Sequence, residues 1–257
     1  MRRKISFFII MMLIIFVSCK NNKQEALKDG FIIDGKLTNA SGKQIMLQQL
    51  TAKELITIDS AFVNKDGSFS FTYKPTETSI FLLRKDANNY ISLIADKGEH
   101  ITFESDYDKF QKAYTVKGSQ GSELICQLNQ HLQKNLCTLD SLGKIWDVSK
   151  NDINRVQIKA SIDTSYFRTV REQRAYQTDF INKNSSSFAA MVALYLSLDR
   201  TVVINIDKDF NLFEKVSNDL LAKYPKNTQA IELDKRVKQM KMLLVEKKII
   251  EERNSKK

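Results

Sequence analysis

Sulfur chemistry is the first possibility that this sequence raises, because thiolates exchange disulfides, bind metals and accept lipid groups. The chain has 257 residues and three cysteines, of which Cys126 and Cys137 lie eleven positions apart in a segment with helical periodicity. That spacing corresponds to about 16 Å of helix rise, whereas a disulfide requires Cα atoms within roughly 7 Å. We therefore expect two free thiols. The sequence contains no C-x-x-C pair of the kind that exchanges disulfides.

The third thiol, Cys19, closes an N-terminal segment that is typical of a bacterial lipoprotein signal. Basic residues at 2–4 precede an apolar run over 5–17, which is the order found in secretory signal peptides. Phe16-Val17-Ser18-Cys19 then resembles a lipobox, with Phe where Leu is commonest. The resemblance implies cleavage after Ser18 and attachment of diacylglycerol and a fatty acyl chain such as palmitate to Cys19. The alternative is a plain signal peptide with Cys19 as a bystander.

Other side chains that could carry chemistry have ordinary structural interpretations. His131 shares a predicted helix with the two free thiols, and ligands along one helix cannot surround a metal ion, so we expect a packing histidine. His100 starts a predicted strand beside Gly98 and Glu99, and without a second histidine nearby it is interpreted as a residue of that turn. Glu104, Asp106 and Asp108 have the spacing that opens a calcium loop, but the glycine and distal glutamate of such a loop are missing. A solvated loop is favoured there, and we expect neither a metal site nor a cofactor.

The elements that would position these residues begin with a β half. Alternating apolar and polar residues between turn signals predict strands at 31–37, 44–50, 55–63, 68–73, 79–85, 90–95, 100–104 and 113–116. Aromatic residues at 69, 71 and 73 alternate with Ser and Thr, as in a half-buried antiparallel strand. Successive strands of this kind predict an antiparallel β-sandwich.

Helical periodicity replaces the strand pattern after Gly118. The second predicted helix opens on a capping-box pattern at Ser149, the serines at 185–187 indicate the cap of the third, and Asp207 that of the fourth. The helices are predicted at 119–142, 149–182, 187–198, 207 to just before 225, and 227–253. The predicted fold class is α+β, divided into a signal peptide (1–18), a tether (19–30), a β-sandwich domain (31–118) and an all-α helical domain (119–257).

Several segments of the β half occur in a distinctive order, at 31–37, 44–47, 58–60, 63–71, 91–94, 98–99 and 114–119. In this order they resemble the N-terminal domain of unknown function that precedes thioredoxin-like domains in lipoproteins of Bacteroidota. The stretch around 180–185 and Tyr224-Pro225 looks like the region that follows it in those proteins. In that family a W-C-x-x-C motif then performs thiol–disulfide exchange. Because this chain has no such motif, we do not extend that activity to it.

The positive charge is concentrated at the C-terminus. The formal net charge is +10, and the segment 235–257 contributes nine basic against three acidic residues. This basic helix is interpreted as a solvated face, as a connector or coiled-coil strand to a protein partner, or as a surface near anionic lipid headgroups. Nucleic acid is not an expected partner, because the secretory signal directs the chain out of the cytoplasm and no aromatic-interleaved basic stripe is present.

These features predict a non-catalytic, lipid-anchored protein of the cell envelope that acts as a binding or interaction module. The membrane is its expected partner through the lipid anchor, and a protein partner through the C-terminal helix is the further possibility. Residues 20–24 lack the acidic run of surface-exported lipoproteins, which favours the periplasmic face of the outer membrane. The alternative is a truncated or accessory member of a thioredoxin-like thiol–disulfide oxidoreductase system.

The lipid-anchor hypothesis predicts that Cys19→Ala releases the protein from the membrane fraction. Without the thiol no diacylglycerol can be attached, and the acylation that the lipobox resemblance implies as a later step has no lipidated cysteine to act on. The stable anchoring that more than one acyl chain provides is then lost. Fractionation of cells that express either form measures this. A Cys137→Ala variant controls for loss of a thiol as such, and Cys19→Ala protein that stays in the membrane fraction would contradict the hypothesis.

Overall fold

A computed structural model describes residues 28–255, so the predicted signal peptide, Cys19 and most of the predicted tether lie outside the described residues. The β half consists of β1 (Phe31–Thr38), β2 (Gln44–Leu50), β3 (Leu55–Phe62), β4 (Ser68–Tyr73), β5 (Ser79–Arg84), β6 (Tyr90–Ala95), β7 (His100–Asp106) and β8 (Tyr114–Lys117). The rest of the described chain forms α1 (Gln120–Ser149), α2 (Arg155–Asn184), α3 (Phe188–Tyr195), β9 (Ser197–Leu198), β10 (Thr201–Val202), α4 (Phe210–Lys223) and α5 (Thr228–Asn254).

Within residues 28–255, the first eight strands form two four-stranded sheets. The first sheet has the order β4-β1-β7-β8 and the second has the order β3-β2-β5-β6. Neighbouring strands run antiparallel, except that β1 and β7 are parallel, with Ile33 opposite Ile101. The α+β fold class predicted from the sequence is confirmed. The sheets are mostly antiparallel, as predicted, and the β1–β7 pair of the first sheet is the exception. Strand patterning predicts which residues are buried but not which distant strand becomes the neighbour.

One hydrophobic core lies between the two sheets. It contains alternate residues of most strands, among them Phe31 and Ile33 of β1, Phe81 and Leu83 of β5, and Phe103 of β7, each no more than 1% exposed. Phe31 and Phe81 meet edge to face with their ring centroids 4.8 Å apart. Burial of such aromatic side chains, each removing 150–250 Å² from water, stabilises the sandwich.

A second core lies on the outer face of the β3-β2-β5-β6 sheet, where the helices pack. Ile80 of β5 and Ile94 of β6 point away from the sandwich core and join a cluster with Leu128 of α1, Phe188 of α3 and Val216 of α4. Strand β5 is therefore buried on both faces, which agrees with its run of apolar residues over 80–83. The β half and the helical half share this sheet.

Two sets of hydrogen bonds attach the helices to the sheet. At the start of α1, Ser119 and Ser122 each donate a hydroxyl hydrogen to the carbonyl oxygen of Ile94, at 2.7 and 2.8 Å, and Ser122 Oγ accepts from Ile94 N at 2.9 Å. At the start of α5, Asn227 donates through Nδ2 to the carbonyl oxygen of Thr78 at 2.8 Å. Both sites satisfy backbone groups that would otherwise be buried without partners.

Polar side chains also hold the helices together. Asn135 of α1 donates to Gln173 of α2, which donates to Gln177; Gln177 then donates to the carbonyl oxygens of Ala193 and Leu196. All three donors are at least 96% buried. Because a buried amide without partners is costly, this chain of hydrogen bonds favours one arrangement of α1, α2 and α3.

The helix boundaries differ from the sequence predictions where caps were inferred. Ser149 ends α1 and bonds the carbonyl oxygen of Ile145, so it does not open α2. The third helix ends at Tyr195 because the chain turns into the β9–β10 hairpin. Asp209, not Asp207, precedes α4. The cap predicted within the serines at 185–187 is confirmed, since Ser187 accepts from Ala189 N at 3.2 Å. The predicted start of the last helix at 227 is also confirmed, and there Asn227 accepts from the amides of residues 229 and 230.

Gly118 is predicted to be essential for the connection between β8 and α1. Its φ is +88°, and a Cβ atom there would lie 1.9 Å from the carbonyl oxygen of His100. We expect Gly118→Ala to lower the free energy of unfolding by more than about 2 kcal/mol. Gly143 lies inside α1 with open space around it, so Gly143→Ala is the matched control and should stabilise by up to about 1 kcal/mol. Denaturant unfolding measures both, and equal effects would contradict this interpretation.

Candidate binding cleft

The helices cover only part of the sheet face on which they pack. They close over Ile94, but from Ile80 toward Arg84 the face opens into a cleft of about 840 Å³. Ligand pockets in proteins typically measure roughly 300–1,000 Å³. The floor of the cleft is formed by outward-facing residues of β5 and β6: Ile80, Leu82, Arg84, Tyr90 and Ser92.

Three helices and one turn form the walls of the cleft. The lining residues are mostly apolar near the floor and charged at the rim. They are Ile125, Leu128, Asn129, Leu132 and Gln133 of α1; Met191, Val192 and Tyr195 of α3, with Leu196 after it; Gln229, Glu232, Leu233 and Arg236 of α5; Leu50 to Leu55 around the β2–β3 turn; and Ile91, Gln111 and Tyr114 of the β half. The arrangement combines an apolar interior with few polar groups, which suits an apolar ligand with one polar end.

Arg84 is the charged residue of the floor. Its side chain is partly buried, donates through Nη1 to the carbonyl oxygen of Ala87 at 3.0 Å, and lies over the ring of Tyr90 at 5.3 Å from the centroid. Its Nε atom is buried and has no hydrogen-bond partner among the described residues. The guanidinium is thus held in place on one side, while most of its donors lack protein acceptors.

Gln229 lies at the opposite side of the cleft, in the first turn of α5. Its side chain is 7% exposed, and it donates through Nε2 to the carbonyl oxygen of Leu50 at 2.6 Å. Its carbonyl atom, Oε1, is buried without a partner in the described part of the chain. A buried acceptor without a partner is uncommon in folded proteins and marks a position where water or a ligand group is expected.

The structure places the two predicted free thiols in different surroundings. Both lie on α1 and neither is in a disulfide; Cys126 is buried and Cys137 is exposed. The Cys126 thiol donates to the carbonyl oxygen of Tyr114 at 3.4 Å. Burial raises the pKa of Cys126, and the charge of Glu123 adds to the effect against a backbone hydrogen bond. An attacking thiol needs the opposite, a lowered pKa and an accessible sulfur.

The two histidines take part in packing and pairing. His131 stacks on Tyr176 of α2 with ring centroids 3.7 Å apart, which confirms the packing role. Burial and Lys134 lower the pKa of His131, while Glu172 opposes them. His100 begins β7, which confirms the start of the strand predicted at 100–104, and its Nε2 contacts Asp34 Oδ2 at 2.7 Å. The pair joins β7 to its parallel neighbour β1.

The predicted carboxylate loop has a structural explanation. Asp106 accepts hydrogen bonds from Thr38 Oγ1 at 2.7 Å and from Asn39 Nδ2 at 2.6 Å. The Thr38 hydrogen bond is the main reason that the pKa of Asp106 is lowered. The carboxylate therefore ties the end of β1 to the end of β7. Across residues 28–255, no group of three or more His, Cys, Asp or Glu side chains is arranged to hold a metal ion.

Sequence reasoning missed the cleft, whose residues come from distant parts of the chain. One signal was available. The segment 80–83 is apolar at successive positions, which indicates a strand covered on both faces, and Arg84 interrupts this run at its end. A charged residue at the end of an apolar strand indicates that this part of the strand face is not covered by apolar residues. The partners of that face, on α1, α3 and α5, could not be inferred from spacing.

Fold and cleft together define a class: an α+β protein in which helices pack on one sheet of a β-sandwich and leave a cleft open. Residues 31–125 match the model of a family described as "Domain of unknown function (DUF4369)". The match spans the eight strands of the sandwich and the start of α1, so it contains the floor of the cleft but not the α3 and α5 walls. Comparison with curated proteins and with solved structures finds no match to this chain. Among the described helices, none combines the length and apolar character needed to cross a membrane.

The environments of the thiols predict a clear difference in reactivity. In the native protein, an iodoacetamide reagent should label Cys137 and leave Cys126 unlabelled, since burial keeps the latter protonated and inaccessible. In denaturant both should react at similar rates. Mass spectrometry of digested peptides measures the two sites separately. Recovery of a peptide pair that a Cys126–Cys137 disulfide joins would contradict this account.

Proposed function

We propose that this protein is a lipid-anchored binding module of the cell envelope, whose ligand site is the cleft between the second sheet and the helices. The cleft is the observation that carries the proposal. It has the volume of a small-molecule site, an apolar interior, and polar atoms on Arg84 and Gln229 that find no hydrogen-bond partner within residues 28–255. Sites with this composition bind ligands by shape and burial and use a few polar groups for orientation.

The anchoring part of the proposal rests on the N-terminal sequence. The lipobox-like segment ending in Cys19 supports attachment to a membrane, and residues 20–24 support the periplasmic face of the outer membrane. The resemblance to the lipoproteins of Bacteroidota that carry thioredoxin-like domains supports the same compartment. The binding role rests on the cleft; the environment of Cys126, which is buried and has a pKa raised by burial, gives no support to the alternative of thiol–disulfide exchange at that residue.

Blocking the cleft tests the binding role. Val192 of α3 lines the cleft, so Val192→Trp should fill part of it. Val202 of β10 is 64% exposed outside the cleft, which makes Val202→Trp a matched control. Each protein would be purified from its native envelope, and the bound small molecules identified by mass spectrometry after extraction. We expect a component that accompanies the native protein and the control but is depleted at least fivefold with Val192→Trp.

Thermal unfolding checks that both variants are folded. If Val192→Trp does not fold, Ser92→Phe on the floor blocks the cleft from the opposite side. Equal recovery of every extracted component from the native protein and from folded cleft variants would overturn the proposed function.

A further inference from the structure

We propose that the cleft takes a long-chain carboxylic acid, with the carboxylate on Arg84 and the hydrocarbon chain between the sheet and the helices. This inference rests on the proposed function and names the ligand class of that same site. It follows from three observations: Arg84 on the floor, for which the described part of the chain supplies no carboxylate partner, the apolar walls, and the pairing of β5 with a strand on each side.

The charge of Arg84 is unusual for its surroundings. A partly buried cation is unfavourable unless an anion or several acceptors compensate it. The protein supplies such compensation at Arg174, which donates to both carboxylate oxygens of Asp209 and, at 2.8 Å, to the carbonyl oxygen of Val203. For Arg84 the described residues supply only the carbonyl oxygen of Ala87 and the face of Tyr90. The compensating anion is therefore expected from a ligand.

The other charged groups of the cleft do not replace that anion. Glu232 on the α5 wall already contacts Arg236, one turn along the same helix, at 3.4 Å. Lys53 and Glu54 lie exposed at the β2–β3 turn and carry opposite charges. The planar guanidinium of Arg84 can pair with both oxygens of a carboxylate in parallel, which is the geometry that arginine favours.

The walls beyond Arg84 suit a hydrocarbon chain. The apolar side chains that line the interior come from every side: Leu82 from the floor, Leu128 and Leu132 from α1, Val192 from α3 and Leu233 from α5. A chain placed among them loses contact with water without needing hydrogen bonds of its own. Each buried methylene group adds to binding by the hydrophobic effect.

The backbone of the sheet argues against an extended peptide as the ligand. Peptides that bind as an added strand require an exposed sheet edge, but the floor is a sheet face. Strand β5 pairs with β2 on one side and with β6 on the other. At the outer edge of β6, both backbone groups of Ile94 are bonded to serines of α1. The floor of the cleft thus offers side chains and not backbone hydrogen-bonding groups. A hydrocarbon ligand, which has no amide groups to satisfy, fits these apolar side chains best.

The test uses the full lipidated protein in nanodiscs and two photoactivatable probes of equal chain length, hexadecanoic acid and hexadecanol. After irradiation, mass spectrometry of peptides locates the label. We expect the acid to label the peptides that contain residues 80–92 and 125–133 at least tenfold more than the alcohol does, because only the acid pairs with Arg84. Arg84→Gln should remove this preference, and Arg84→Lys should restore part of it.

Arg155, exposed at the start of α2, provides the control: Arg155→Gln should label like the native protein. If the acid and the alcohol label the cleft equally, and Arg84→Gln does not change this, the assignment of a carboxylate ligand is overturned. The proposal that the cleft binds a ligand is unaffected by that result. The proposed function is overturned as well if neither probe labels the cleft and no extracted component is depleted with Val192→Trp. Thermal unfolding of each variant confirms that the fold is intact.

Discussion

The docking of α1 against the edge of β6 is the interaction on which the rest of this structure depends. An open sheet edge exposes amide and carbonyl groups that must find partners or remain in water. Here the hydroxyls of Ser119 and Ser122 satisfy both backbone groups of Ile94. Gly121 lets the helix approach closely, since a Cβ atom there would lie 2.8 Å from the Ile94 side chain. These contacts set the direction in which α1 leaves the sandwich, and α2 and α3 pack on α1.

A sheet that is buried on both faces follows from this docking. Phe81 and Leu83 point into the sandwich, whereas Ile80 and Leu82 point toward the helices. At the start of α5, Asn227 and Gln229 donate to the carbonyl oxygens of Thr78 and Leu50 and so hold a second helix to the same sheet. Between these attachments the helices stand away from the face, and the cleft is the space that remains. Its position is a consequence of how the two halves join.

Local features of the fold could be predicted from the sequence because local physics determines them. The prediction of a strand at 68–73 is confirmed to the residue, since three aromatic side chains alternate there with small polar ones. The predicted start of the last helix at Asn227 is confirmed, because the side chain of this residue accepts hydrogen bonds from the first amides of α5. The parallel pairing of β1 with β7 was missed, because no local pattern specifies a neighbour some seventy positions away. The cleft was missed for the same reason: Arg84 is visible in the sequence, but only the structure shows that its Nε has no hydrogen-bond partner among the described residues.

Nuclear magnetic resonance of methyl-labelled protein in nanodiscs, titrated with hexadecanoate, tests the central claim most directly. The account predicts chemical-shift changes at the methyl groups of Leu82, Leu128 and Val192, which line the cleft. It predicts none at Leu83 and Leu93, which lie in the sandwich core on the opposite face of the same strands. Shifts confined to residues outside the cleft, or no shifts at all, would contradict it.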